Sequence, residues 1–74
     1  MSDELIDARG LLCPLPVLRL RKRLSKLASG EQITLWADDP AAAIDVPHFC
    51  AESGHKLVAT GERQGAQTYR VQKA

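Results

Sequence analysis

With 74 residues the chain has room for one domain, and folding at this size hides only about 60% of the unfolded chain's surface, which excludes a deep pocket and favours chemistry at an exposed site. Ten Lys and Arg against nine Asp and Glu leave a net charge of +1, too near neutral for bulk electrostatic capture of nucleic acid. Two cysteines do not make the disulfide framework of a small secreted domain, no apolar run approaches the roughly 20 residues that span a bilayer, and Met1-Ser2-Asp3-Glu4 lacks the pattern of a signal peptide. A cytoplasmic protein with reduced thiols and no membrane role is expected.

Leu5-Ile6-Asp7-Ala8 reads as a first strand closed by Gly10. Leu12-Cys13-Pro14-Leu15-Pro16 marks an abrupt change of backbone, after which Val17, Leu20, Leu24, Leu27 and Ala28 recur at helical spacing. Pro14 suits the first helical position and Gly30 the left-handed residue past the end. The period then becomes two: Ile33, Leu35 and Ala37 face one way, Thr34 and Trp36 the other. Asp39-Pro40 and Asp45-Val46-Pro47 each read as a cap followed by a first turn, predicting one helical turn and then a short helix with Val46, Phe49, Cys50 and Ser53 inside. Gly54 ends that helix. Leu57 to Thr60 and Thr68 to Val71 read as strands joined by a hairpin around Arg63-Gln64-Gly65-Ala66. The order βαβαββ predicts an α/β (α+β) two-layer sandwich, with two helices on one face of a mixed four-stranded sheet.

Cys13 is the candidate nucleophile. With Pro14 as first helical residue it takes the N-cap, where free amides and the positive end of the helix dipole favour a thiolate. Pro14 and Pro16 stiffen the turn that presents the sulfur. Cys50, on the apolar stripe with Val46 and Phe49, reads as core rather than as a resolving thiol. His48, Cys50 and His55 match no zinc spacing, so neither a metal nor a cofactor is expected. Arg19, Arg21, Lys22, Arg23 and Lys26 read as a solvated helix face that can also steer an acidic partner toward Cys13, and Leu18, one position off the buried stripe, as an apolar contact for it.

Asp7-Ala8-Arg9-Gly10-Leu11-Leu12-Cys13-Pro14-Leu15-Pro16 resembles the signature of the TusA-like, or SirA-like, sulfur-carrier family, whose core is Cys-Pro-x-Pro. The resemblance continues through Ala37-Asp38-Asp39-Pro40, Asp45-Val46-Pro47, Phe49-Cys50 and Tyr69-Arg70-Val71, covering nearly the whole chain as a single domain, residues 1–74. It implies the same sandwich. It also implies a Cys13 persulfide received from a cysteine desulfurase and relayed to a downstream sulfur-acceptor protein, a carrier more than a stand-alone enzyme. Arg21 and Asp39 match family positions used for partner contact. Such carriers commonly feed tRNA 2-thiouridine formation, and similar sequences serve molybdenum cofactor metabolism or sulfur oxidation. Leu15 stands where tRNA-pathway members often have Glu. The alternatives are a thiol redox protein using Cys13 and Cys50, and a nucleic-acid-binding or regulatory module, since the sandwich resembles the C-terminal domain of a translation initiation factor. Trp36 is the one aromatic expected to be exposed, which argues against direct nucleic-acid binding by base stacking.

Overall fold

The alternating run after Gly30 forms the strand on which the rest of the domain is laid. In the computed structural model, which describes residues 4–74, β1 (Glu4–Asp7), α1 (Leu15–Leu24), β2 (Gln32–Ala37), α2 (Ala42–Ser53), β3 (Lys56–Arg63) and β4 (Ala66–Gln72) follow in chain order. Met1, Ser2 and Asp3, which entered the reading of the N-terminus, lie outside the described residues. The sheet order is β1-β2-β4-β3. β1 runs parallel to β2, with Ile6 opposite Leu35, and β4 is antiparallel to both β2 and β3. Both helices pack on one face, giving the expected sandwich.

Ile33, Leu35 and Ala37 turn the inner face of β2 toward Leu20 and Leu24 of α1 and toward Ala42, Val46 and Cys50 of α2, and all belong to one buried cluster. Period two on the strand and period near four on the helices bring every apolar row to the same interior. No buried charged or polar residue interrupts it among the described residues. The Tyr69 hydroxyl in the same layer is buried with no hydrogen-bond partner among the described residues. Tyr69→Phe removes that unpaired group, so a urea midpoint equal to or above wild type is expected, corresponding to about 0–1 kcal/mol of added stability. A clear loss would show that the hydroxyl is bonded in solution.

Four local expectations are corrected. α1 stops at Leu24 because the chain tightens there: Lys26 and Leu27 donate to the carbonyls of Arg23 and Leu24, three residues back. Leu27 still packs on the core, while Gly30, left-handed at φ +92°, joins β2 by donating to Lys73 O rather than capping the helix. The turn and short helix expected after Asp39 are one helix, α2. Its first amides bond three residues back, from Ala42, Ala43 and Ile44 to Asp39, Pro40 and Ala41, and Pro47 is carried inside it. Ser53 is exposed, and Ala42 takes a place on the inner face instead. The hairpin strands run longer than expected, closed by Gln64 and Gly65 at φ +51° and +81°, a two-residue turn whose twist matches that of the strands.

Trp36 is the fourth correction. It lies on the face away from the helices, yet it is only 6% exposed. The guanidinium of Arg9 sits 3.5 Å from the ring centroid and that of Arg63 4.8 Å, while the indole N–H donates to Arg63 O at 3.1 Å. Two arginines thus cover the ring that alternation left facing solvent.

Candidate functional site

β1 and β2 are parallel, so their carboxyl ends lie at the same edge of the sheet, and the chain leaves each toward the start of a helix. Open α/β sheets place their functional loops at such an edge. The loop after β1 carries Cys13, and the connection after β2 carries Asp38 and Asp39. These two carboxylates hold the first loop down: Gly10 N donates to Asp38 Oδ1 at 3.0 Å, and Cys13 N to Asp39 Oδ2 at 2.6 Å. Asp39 Oδ1 accepts from Ala41 N at 3.0 Å, so one carboxylate ties the start of α2 to the backbone of Cys13. Both bonds keep the Asp39 carboxyl below the usual range. On the other side of the loop Arg9 closes back on Asp7, whose carboxyl it lowers to about 2.

Cys13 is exposed and its sulfur has a partner that the sequence reading did not foresee. Sγ donates to Asp45 Oδ2 at 2.6 Å, across 32 residues of chain. The Cys13–Pro14 peptide bond is cis. The expectation of a lowered thiol pKa is overturned: the hydrogen bond to Asp45 comes first, then desolvation and the charges of Asp45 and Asp39, and together they push the thiol above its ordinary value.

The physical reason is a shortage of amides against a surplus of carboxylate. α1 begins at Leu15, with Pro14 as its cap, so Cys13 lies one residue outside the position that sequence assigned to it. Pro14 and Pro16 have no N–H, and the Leu15 N–H already donates to Leu12 O at 2.9 Å. A helix terminus carries the equivalent of roughly half a charge. A full carboxylate charge in hydrogen-bond contact outweighs it.

The remaining candidates separate by location. Pro16 is buried and fixes the first turn of α1 against the core. Leu18, half-exposed at 47%, is joined on the surface by Leu12, Leu15 and, from α2, Ile44 at 75%. Exposed apolar side chains therefore occur on the segments that carry the thiol and its partner Asp45. Arg21 is exposed, but the basic run is not one face. Arg19, Lys22, Arg23 and Lys26 line a shallow groove with Ile6 of β1, and Arg21 is not among its lining residues. Cys50 is 3% exposed, and burial pushes its thiol up. His48 approaches Glu52, and His55 Nδ1 accepts from Ala74 N at 3.1 Å. No cluster of three or more metal-ligating side chains occurs among the described residues, and no helix among them is long and apolar enough to cross a membrane.

Asp45 is the residue that sequence reasoning missed as a site group. Its placement before Val46-Pro47 suggested a cap, and only the packing of α2 against the Cys13 loop shows where its carboxylate goes.

Comparison with known proteins agrees with this geometry. The family model for sulfurtransferase TusA matches residues 4–73. Two Neisseria meningitidis proteins, one from serogroup A strain Z2491 and one from serogroup B strain MC58, each bear the name "putative sulfur carrier protein" and are 40% identical over 97% of this chain and 97% of their own. The crystal structure of a SirA-like protein from Desulfitobacterium hafniense superposes with a TM-score of 0.82 at 26% identity, covering 92% of this chain and 93% of that one. A motif loop, a two-layer sandwich and relatives matched end to end all point the same way, and the chain belongs to the TusA sulfurtransferase family.

Proposed function

We propose that this chain is a cytoplasmic sulfur carrier, a single domain that accepts sulfane sulfur from a cysteine desulfurase as a Cys13 persulfide and relays it to an acceptor protein. The observation that carries the reading is an exposed cysteine on a loop pinned by Asp38 and Asp39, in a chain of the TusA family. A carrier needs its sulfur accessible and aimed, and hydrogen bonds to Asp38 and Asp39 on the connection after β2 supply the aim. The relay passes sulfur to the pathway that the acceptor serves, with tRNA 2-thiouridine formation, molybdenum cofactor metabolism and sulfur oxidation as the candidates and Leu15 as the motif position that departs from the Glu common among tRNA-pathway members.

Persulfide transfer follows the rules of thiol exchange, in which access and the acidity of both sulfurs set the rate. Cys50 is out of the reaction on this reading, because a buried un-ionised thiol is a poor nucleophile. The nucleic-acid alternative loses the one aromatic that was expected to be exposed, since the Trp36 ring is covered by Arg9 and Arg63 and offers no platform for a base.

Intact-mass measurement after incubation with a cysteine desulfurase and cysteine tests the proposal. One added sulfur atom, removed by reductant and mapped to Cys13, is expected; no adduct, or sulfur on Cys50, would end it. The contact surface is tested separately through Leu18, Arg21 and Asp39, of which Arg21 is the cleanest because it is exposed and makes no ion pair among the described residues. Arg21→Glu is expected to slow loading about tenfold at low salt and far less at high salt, since an exposed charge at the rim acts on encounter. Equal rates at every ionic strength would return Arg21 to the ordinary solvated surface.

A further inference from the structure

The hydrogen bond from Cys13 Sγ to Asp45 and the carboxylates around it favour the protonated thiol, and a thiol attacks a sulfur far less readily than a thiolate does. Sulfur uptake therefore needs a place for the proton. The charges acting on the sulfur are the carboxylates of Asp45 and Asp39. Asp39 is turned to backbone, one oxygen on Cys13 N and the other on Ala41 N. Among the described residues Asp45 alone bonds the sulfur, with Oδ2 at 2.6 Å from Sγ. It stands in the first turn of α2, where its own N–H donates to Ala41 O at 2.9 Å, so the carboxylate is delivered from a helix and not from a mobile loop. Of the nearby cations, Arg9 is occupied by Asp7 and the face of Trp36.

We propose that Asp45 is the general base of sulfur uptake, receiving the Cys13 proton along the hydrogen bond already present. This rests on the sulfur-carrier reading. Sγ bonds to the outer sulfur of the donor persulfide as the bond from that sulfur to the donor's own sulfur breaks. The electron pair of the broken bond leaves with the donor as a thiolate. The proton passes from Sγ to Asp45 Oδ2 as the new bond forms, and from there to the departing thiolate. Nothing is oxidised or reduced overall, since one sulfane sulfur moves between two thiols. A base within hydrogen-bond distance of the atom whose proton it takes typically contributes about 10²–10⁴-fold. The arrangement also gives the free carrier a thiol that resists stray electrophiles and becomes a nucleophile only where a sulfur is offered to it.

The test compares wild type with Asp45→Asn, which keeps the shape and removes the base, in two measurements, sulfur uptake across pH 6 to 8 and thiol alkylation from pH 6 up to about 11. One is single-turnover sulfur uptake from glutathione persulfide; the other is alkylation of Cys13 by iodoacetamide. The ratio of wild-type to variant uptake, in which the donor's own titration cancels, is expected to be about 10² at pH 6 and to fall about tenfold per pH unit as the variant comes to rely on its thiolate. The alkylation midpoint of the variant is expected below that of wild type, showing that the hydrogen bond existed and that the variant site is intact. A variant that takes up sulfur as fast as wild type, or faster, at pH 6 overturns the inference and leaves Asp45 only a damper of the thiolate. Equal alkylation midpoints overturn it too, because the carboxylate is then out of reach of the sulfur. If wild type takes up no sulfur at any pH while the midpoints still differ, the carrier reading itself has failed, and the base falls with it.

Discussion

Cys13→Ser should take up no sulfur from any donor and should unfold at the same urea concentration as wild type, to within about 0.5 kcal/mol. The loss is complete because the hydroxyl cannot form a persulfide, and Cys50, 3% exposed, is not placed to substitute for it. The stability is kept because the exposed sulfur belongs to no core cluster and the anchoring bond from Cys13 to Asp39 is made by the backbone amide. Serine retains that amide and can still donate toward Asp45. A redox protein using both thiols would lose its activity on replacement of either cysteine, and a regulatory module would be indifferent to Cys13. Desulfurase-dependent sulfur on the Cys13→Ser protein would refute the carrier mechanism.

Leu35→Ala should produce the opposite pair of results. Leu35 is fully buried on β2, opposite Ile6 on one side and Tyr69 on the other, so its side chain sits where the two halves of the sheet and both helices meet. Truncating a core leucine costs about 2–5 kcal/mol, with the larger values where the surroundings cannot close the gap. At about 0.05–0.15 kcal/mol per residue, 74 residues give a total stability of only some 4–11 kcal/mol. A large fall in the urea midpoint is expected, with normal loading of Cys13 in the fraction that remains folded. A cost below about 1 kcal/mol would mean that the centre of the sheet repacks freely.

The fold was legible because its causes are local in sequence. Ile33, Leu35 and Ala37 alternate, Leu20 and Leu24 repeat at four, and Gly54 and Gly65 stand where a left-handed residue is needed. What misled were features that local pattern does not encode. Asp45 before Val46-Pro47 looks like a cap in one dimension, and the 32 residues between it and Cys13 hide their meeting. The supposed N-cap thiolate failed for a related reason: a one-residue shift of the helix start and a Leu12–Leu15 hydrogen bond removed the amides on which it depended. Trp36 was placed on the correct face, but its burial comes from Arg9 and Arg63, two residues on other segments.

That covered ring has a practical use. Trp36 is the only tryptophan in the chain, its carbonyl accepts from Ala8 N at 2.7 Å, and Arg9, the next residue toward the Cys13 loop, lies on its face. Its fluorescence is therefore a native optical signal wired to the segment that carries the sulfur. Emission recorded without any label would follow a docking partner that pulls Arg9 off the indole, in real time, alongside the mass gained at Cys13.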